Sequence, residues 1–150
     1  MQLAHRDTTE TSVWEFMTES HRQLDKLFHR VVLAFEADDP DTALLWHQLE
    51  SGLLSHMDAE ERFVLPAFAR VDRTEAHALL REHGKIREQL LELGVALELH
   101  HLRAEQSRWF VASLHAHAER EHQLLYRWAD TRLDARIANV VRRHLEQLRD

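Results

Sequence analysis

The chain has 150 residues, 13 histidines, no cysteine and a formal charge of −7. Without thiols it has no disulfides, thiolate zinc sites, cysteine-ligated iron–sulfur clusters or cysteine nucleophiles, and its acidity argues against a nucleic-acid binder. No apolar run approaches the roughly 20 residues of a membrane span and Met1–Thr11 has no signal-peptide core, so a cytoplasmic protein that binds neither membrane nor nucleic acid is expected.

Three glycines and two prolines leave little material for turns, which favours long helices and an all-α fold. A single domain over residues 1–150 fits the length. After a polar lead-in, Ser12-Val13-Trp14-Glu15 has the form of a capping box, so a first helix is expected from about Val13. Its apolar seam is Trp14, Met17, Leu24, Phe28, Val31 and Phe35, and His21 fills the one gap. Asp38-Asp39-Pro40 separates it from a second helix, with Asp39 as N-cap and Pro40 at the first helical position. That helix carries Leu45, Leu49, Leu53 and Phe63, with His56 and Glu60 completing the series, and Pro66 ends or kinks it.

Asp72-Arg73-Thr74-Glu75 is a second capping-box signature. A third helix then runs through Leu79, Leu80, His83, Ile86, Leu90, Leu93 and Leu97, with a boundary near His100–Arg103. The fourth carries Phe110, Ser113, His117, Glu121, Leu124 and Trp128. A short amphipathic segment over about 133–149, with Ile137, Val140, Val141, Leu145 and Leu148, reads as a fifth helix. It caps a bundle core of about 12–130 or joins two subunits as a homodimer.

Two stretches organise the pattern, His56-Met57-Asp58-Ala59-Glu60 and His117-Ala118-Glu119-Arg120-Glu121. Four residues turn an α-helix by about 400°, so each histidine and glutamate project about 40° and about 6 Å apart, as a two-ligand claw. The preceding lone histidines, His21 and His83, repeat with the claws at an offset of 61 or 62 residues. The chain therefore reads as two copies of one unit. Alone, each residue suits a hydrogen-bonded core histidine or a surface helix pair. Together, all six interrupt apolar seams at matching positions. Buried unpaired carboxylates cost several kcal/mol or more each, and the seams hold few cations. Bound metal supplies the charge. Nitrogen and carboxylate donors without sulfur suit iron, manganese or zinc, and six residues are too many for one tetrahedral zinc. They suit two ions that share the glutamates, each with two histidines.

The ordered set His21, His56-x-x-x-Glu60, Glu82-His83 and His117-x-x-x-Glu121, spread over residues 12–130, resembles the hemerythrin family in its HHE cation-binding branch. The resemblance implies an up-down-up-down four-helix bundle and a non-haem di-iron centre, oxo- or hydroxo-bridged. Glu60 and Glu121 would be bridging carboxylates and His21, His56, His83 and His117 terminal ligands. Arg87 stands where the oxygen-carrying hemerythrins have a second histidine, and His-x-x-x-Glu replaces their His-x-x-x-x-Asp. The four-histidine, two-glutamate set is instead similar to bacterial di-iron proteins of nitric-oxide stress and iron–sulfur repair, and to the iron-sensing domain of an F-box ligase.

Asp25 and Arg87, each four residues past a lone histidine, are candidates for a cross-bundle ion pair or for contacts behind the ligands. Glu61 and His122, directly after the bridging glutamates, are candidate alternative ligands or interhelical contacts. His115 lies off the seam of His117, and His5, His29, His47, His77, His100, His101 and His144 are assigned to the surface. Three functions compete. The first is sensing or binding of oxygen, nitric oxide or iron in a stress response. The second is a di-iron oxidoreductase acting on nitric oxide, oxygen or peroxide, its chemistry the cofactor's. The third is a metal-stabilised interaction module.

Overall fold

The computed structural model describes residues 13–132 and 135–146. The expectations that fall on His5, Ser12, Leu133, Leu148 and the Trp14 side chain lie outside the described residues. The fold is all-α. Helix α1 (Val13–Glu36) is followed by α2 (Thr42–Ala59), which runs through a π-helical turn at Glu60–Val64 into α3 (Leu65–Phe68). Helix α4 (Arg73–Glu98) precedes α5 (Ala104–Arg120), which passes through a second π turn at Glu121–Tyr126 into α6 (Arg127–Arg132). Helix α7 (Ala135–Glu146) follows. α1 packs on α2, α2 on α4, α4 on α5 and α5 back on α1, while α7 lies against α2 and its π turn. Among the described residues no helix is long and apolar enough to cross a membrane.

The internal repeat extends to the helix ends. At the end of α1, Asp38 takes a left-handed φ of 53°, and at the end of α4 His100 takes 54°. In both, the next amide reaches five residues back, Asp39 to the Ala34 carbonyl and His101 to that of Ala96. This is a Schellman stop made without glycine. The second helix begins two residues later than the Asp39-Pro40 signal predicts. The Asp39 carboxylate accepts the Asp41 amide at 2.8 Å and its carbonyl accepts the Thr42 hydroxyl at 2.6 Å. Those bonds close a local turn, so helical geometry starts at Thr42. Asp72 caps α4 as expected, accepting from the Glu75 amide at 3.0 Å.

The apolar seams divide into two cores. One holds Phe28, Val31, Leu49, Leu53, Ile86 and Phe110, the other Met17, Leu65, Phe68, Leu79, Leu125 and Tyr126. α1, α2 and α4 contribute to both, and α5 reaches the second through its π turn and α6. His21, His83, His117 and Glu121 fall between the two contributions, while His56 and Glu60 flank Met57 and Ala59 where the cores meet on α2. Three seam assignments fail, since Leu80, Leu124 and Val140 are exposed. Leu125 is buried in place of Leu124, and Val141, assigned to the same seam as Val140, is buried as expected.

Candidate metal centre

Glu60 and Glu121 each begin a π turn. In the first, the Leu65 amide donates to the Glu60 carbonyl, five residues back instead of four. One extra residue per turn rotates everything downstream by one position. The claws themselves lie in or at the end of regular helix, so the four-residue spacing still aims His56 with Glu60 and His117 with Glu121. Within the second turn the shifted register turns Leu124 outward and brings Leu125 and Tyr126 inside, both fully buried. Tyr126 is the site residue that the sequence pattern misses. A spacing of five from Glu121 fits no α-helical face.

The six predicted residues come together as two tetrads, His21, His56, Glu60 and Glu121 on one side and His83, His117, Glu60 and Glu121 on the other. Within each, one ligand atom per residue lies within 4.8 Å of the others, so each group could hold a metal ion. Both glutamates are fully buried, as is His83. Glu60 divides its oxygens between the tetrads. Oε1 is 2.8 Å from His56 Nε2 and Oε2 is 3.1 Å from His83 Nε2. Glu121 Oε1 lies 3.1 Å from His117 Nε2 and 3.6 Å from His21 Nε2. Tyr126 meets both shared glutamates, and the histidines of the first tetrad alone among the described residues. Its hydroxyl donates to Glu60 Oε1 at 2.5 Å and lies 3.3 Å from both His21 Nε2 and His56 Nε2.

Several of these atoms face a common point rather than one another. His21 Nε2 and His56 Nε2 are 2.8 Å apart. Two imidazole nitrogens come so close when one gives a proton to the other or when both face a cation. In the second tetrad His83 Nε2, His117 Nε2, Glu60 Oε2 and Glu121 Oε2 are buried without a hydrogen-bond partner among the described residues. His83 Nε2 is 3.1 Å from Glu60 Oε2, near enough for a hydrogen bond but without the alignment one needs, and 3.8 Å from Glu121 Oε2. Donors around one ion at about 2.0–2.2 Å sit roughly 3 Å or somewhat more apart, a spacing that these atoms approach. The donor set therefore fits metal ions.

The surroundings of the outward nitrogens follow the repeat, with hydrogen bonds to His56 and His117, while His21 Nδ1 and His83 Nδ1 are buried without one among the described residues. Ser20, just before His21, lies with its Oγ 2.9 Å from His56 Nδ1. Glu82, just before His83, lies with Oε2 3.5 Å from His117 Nδ1. The residue after each glutamate meets the lone histidine of the other half: Glu61 Oε1 is 3.5 Å from His83 Nδ1, and the His122 ring packs edge-on to His21 at 5.4 Å. Glu61 and His122 thus stand behind the ligands and belong to neither tetrad. The ion pair between Asp25 and Arg87 does not form. Arg87 grips Glu61 through both guanidinium nitrogens, one bond being 2.9 Å. Asp25 pairs with His115 at 3.0 Å. Four residues past a histidine sets a face but leaves the partner across the interface open. His29, His47, His77, His100 and His101 are exposed as expected. His144 is half-buried instead, 3.1 Å from Asp58 and edge-on to Phe63, because α7 docks there.

The electrostatics show the need for positive charge. Burial pushes Glu121 up, and the neighbouring Glu60 pushes it further. Burial also opposes ionisation of Glu60, but His56 and the other donors outweigh it and hold the carboxyl well below its usual range. Burial disfavours charge on His83 too, yet Glu121 and Glu60 prevail and raise it to about 10. His117 moves the same way, with burial opposing and Glu121 raising it. His21 is pushed well down by burial and by His56, so its imidazole is neutral. The two carboxylates thus favour positive charge on the imidazoles that face them, and a proton and a metal ion compete for those inward nitrogens.

Compared with protein-family models, with curated proteins and with solved structures, the chain gives no match.

Proposed function

We propose that this chain is a hemerythrin-like di-iron protein that binds or senses oxygen, nitric oxide or iron in a stress response. In this reading α1, α2–α3, α4 and α5–α6 form one up-down-up-down four-helix domain, and α7 caps it. His21 and His56 would hold one ion and His83 and His117 the other, with Glu60 and Glu121 shared between them. The observation that carries the reading is the pair of buried tetrads with two carboxylates in common. Four nitrogen and two carboxylate residues suit iron, with manganese or zinc as alternatives. Four protein donors per ion leave coordination positions open, and bound iron would supply redox chemistry there. The protein supplies the rest. Ser20 and Glu82 orient His56 and His117 by their outward nitrogens. The two apolar cores exclude water, and Tyr126 holds one bridging oxygen.

The test is metal content by plasma mass spectrometry on tag-free protein from iron-supplemented cells, with its ultraviolet–visible spectrum. About two irons per chain are expected, two being the number of tetrads. A folded protein with no stoichiometric metal would make the six residues a polar network and overturn the reading. One observation favours the second function, oxidoreduction of nitric oxide, oxygen or peroxide. Tyr126, a side chain that can be oxidised, touches both tetrads through Glu60 and Glu121. Turnover by the iron-loaded protein, lost in Glu60→Ala, would select it.

A further inference from the structure

Helix α4 carries His83 toward the tetrads and turns a different face to solvent. On that face Leu80, Leu91 and Val95 are 40%, 71% and 50% exposed, and Gly84 is exposed with them. At 3.6 residues per turn the four lie within about 60° of one another, in a stripe about 22 Å long. Gly84 has no explanation inside the chain. Its φ is not left-handed, and a Cβ added there would meet nothing within 4 Å. A glycine in a helix interior is destabilising relative to alanine. What it still allows is close approach from outside.

The charges beside the stripe are equally unexplained. Arg81, Lys85, Glu88 and Glu92 are exposed along one flank. Arg81 and Lys85 are one helical turn apart, and so are Glu88 and Glu92. Like charges at that spacing weaken a helix, and among the described residues no ion pair relieves any of the four. Both basic residues precede both acidic ones along the helix.

An antiparallel second α4 answers both features. A two-fold axis near Arg87 and Glu88 sets each flank against the same flank of the other copy. The basic half of one helix then meets the acidic half of the other, Arg81 with Glu92 and Lys85 with Glu88. The same register lays Leu91 of one copy over Gly84 of the other and sets Leu80 against Val95. Every contact occurs twice, as a self-complementary interface requires. A groove of about 490 Å³ between α2 and α4, lined in part by Trp46, Leu91 and Val95, borders the stripe and leaves room for the facing leucine.

We propose that this face of α4 is a docking surface whose occupant is a second copy of this chain, packed antiparallel across it. The sequence put a joining role on the fifth helix, but α7 buries Val141 and Leu145 within its own chain. The dimer needs no metal, so it stands or falls apart from the metal-centre reading.

The experiment is sedimentation equilibrium of the full chain with chelator, up to about millimolar concentration. One helix face per copy is a small interface, so the wild type is expected to dimerise with a Kd on the order of micromolar. Leu91→Glu is expected to raise that Kd at least about tenfold. The sharper arm exchanges charge. Arg81→Glu with Lys85→Glu makes the flank acidic throughout, and Glu88→Lys with Glu92→Lys makes it basic throughout. Each double variant alone is expected to be monomeric, and their equimolar mixture to form a mixed dimer. Recovery on mixing also shows that both variants are folded. A wild type that stays monomeric over the whole range, a dimer that Leu91→Glu leaves intact, or a mixture that stays monomeric overturns the proposal. A monomeric wild type that binds an amphipathic helical peptide of mixed charge would give the face to another partner and overturn it equally. Should Leu91→Glu not fold, the charge exchange decides alone.

Discussion

The Tyr126 hydroxyl donates to Glu60 Oε1 at 2.5 Å, joining the second π turn to the start of the first. In the metal-free protein this bond satisfies a buried charged oxygen. A hydrogen bond to a charged group contributes about 1.5–3 kcal/mol. Tyr126→Phe keeps the ring and should cost about that much when iron is stripped. With iron bound, Oε1 has a cation as partner, and the loss should fall below about 1 kcal/mol. Urea unfolding with chelator and with excess ferrous iron measures both. Equal losses would show that the phenol does not share Glu60 with the metal position.

Bridging makes a sharper demand on the glutamates. Because Glu60 and Glu121 belong to both tetrads, Glu60→Ala or Glu121→Ala should lower bound iron toward one ion or none. His47, exposed on the outer face of α2, serves as the control, and His47→Ala should leave the metal content unchanged. Full di-iron occupancy in both glutamate variants would falsify the bridging assignment. Loss of iron in His47→Ala would show that the helix register is wrong.

The candidate ligand set is legible in the sequence because each claw spans regular helix and ends where its π turn begins, so 3.6 residues per turn still holds between its two residues. Tyr126 is not, since it lies inside a turn that adds one residue. The same shift accounts for Leu124, assigned to the seam and found exposed. The spacing puts Asp25 and Arg87 on the face of the lone histidines, yet both side chains reach the surface, and a single-helix pattern says nothing of the opposite helix. Only packing shows Arg87 against Glu61 and Asp25 against His115. The boundary near His100–Arg103 was found by repeat analogy, and the matching left-handed stops at Asp38 and His100 supply its physical basis.

One pH effect is separable from the metal ligands. Hydrogen bonds from Arg120, together with its charge, overcome the smaller opposing effect of burial and lower the Glu75 carboxyl below its ordinary value. The shorter bond is 2.5 Å and the second 2.9 Å. A depressed folded-state pKa contributes stability above the unfolded value and loses it as pH falls through the folded one. Arg120 is partly exposed, so screening limits the effect to about 0.5–1 kcal/mol. Glu75→Gln should therefore be less stable than the wild type by that amount at pH 7 in urea unfolding. The gap should close in acid, once Glu75 is protonated. A gap that persists there would mean that Glu75 acts by packing instead of charge.

Helix α7 offers a test that separates stability from metal binding. It docks on α2 through Val141 and Leu145, both buried. His144 adds a 3.1 Å contact to Asp58, which lies between the claw residues His56 and Glu60. Truncating a buried leucine costs about 2–5 kcal/mol, so Leu145→Ala should lower stability within that range. If α7 only caps the helices, the folded variant keeps its iron. Iron loss from a variant that is still folded would instead tie the docking of α7 to the geometry of the claw beneath it, as an interaction module signalling through α7 requires.

The last prediction follows from the repeat itself. In each half the residue before the lone histidine stands behind the claw histidine of the same half, Ser20 behind His56 and Glu82 behind His117. The chemistry of the two supports differs. A hydroxyl fixes the ring orientation of His56, whereas the Glu82 carboxylate adds negative charge behind His117 and makes its inward nitrogen a stronger donor. Partners of this kind typically change metal affinity 10- to 100-fold. Ser20→Ala should weaken the His21–His56 side by about tenfold, and Glu82→Gln the His83–His117 side by as much or more. Glu82→Gln is the more informative change, since it keeps the shape and removes only the charge. Its other contact, Arg120 at 3.5 Å, retains Glu75 as partner. Competition with a chromogenic chelator resolves the two sides as two steps. The expected result is one step weakened in each variant and a different step in each. If both variants moved the same step, or neither moved, the pairing of supports with tetrads would be wrong and the repeat would have no part in binding metal.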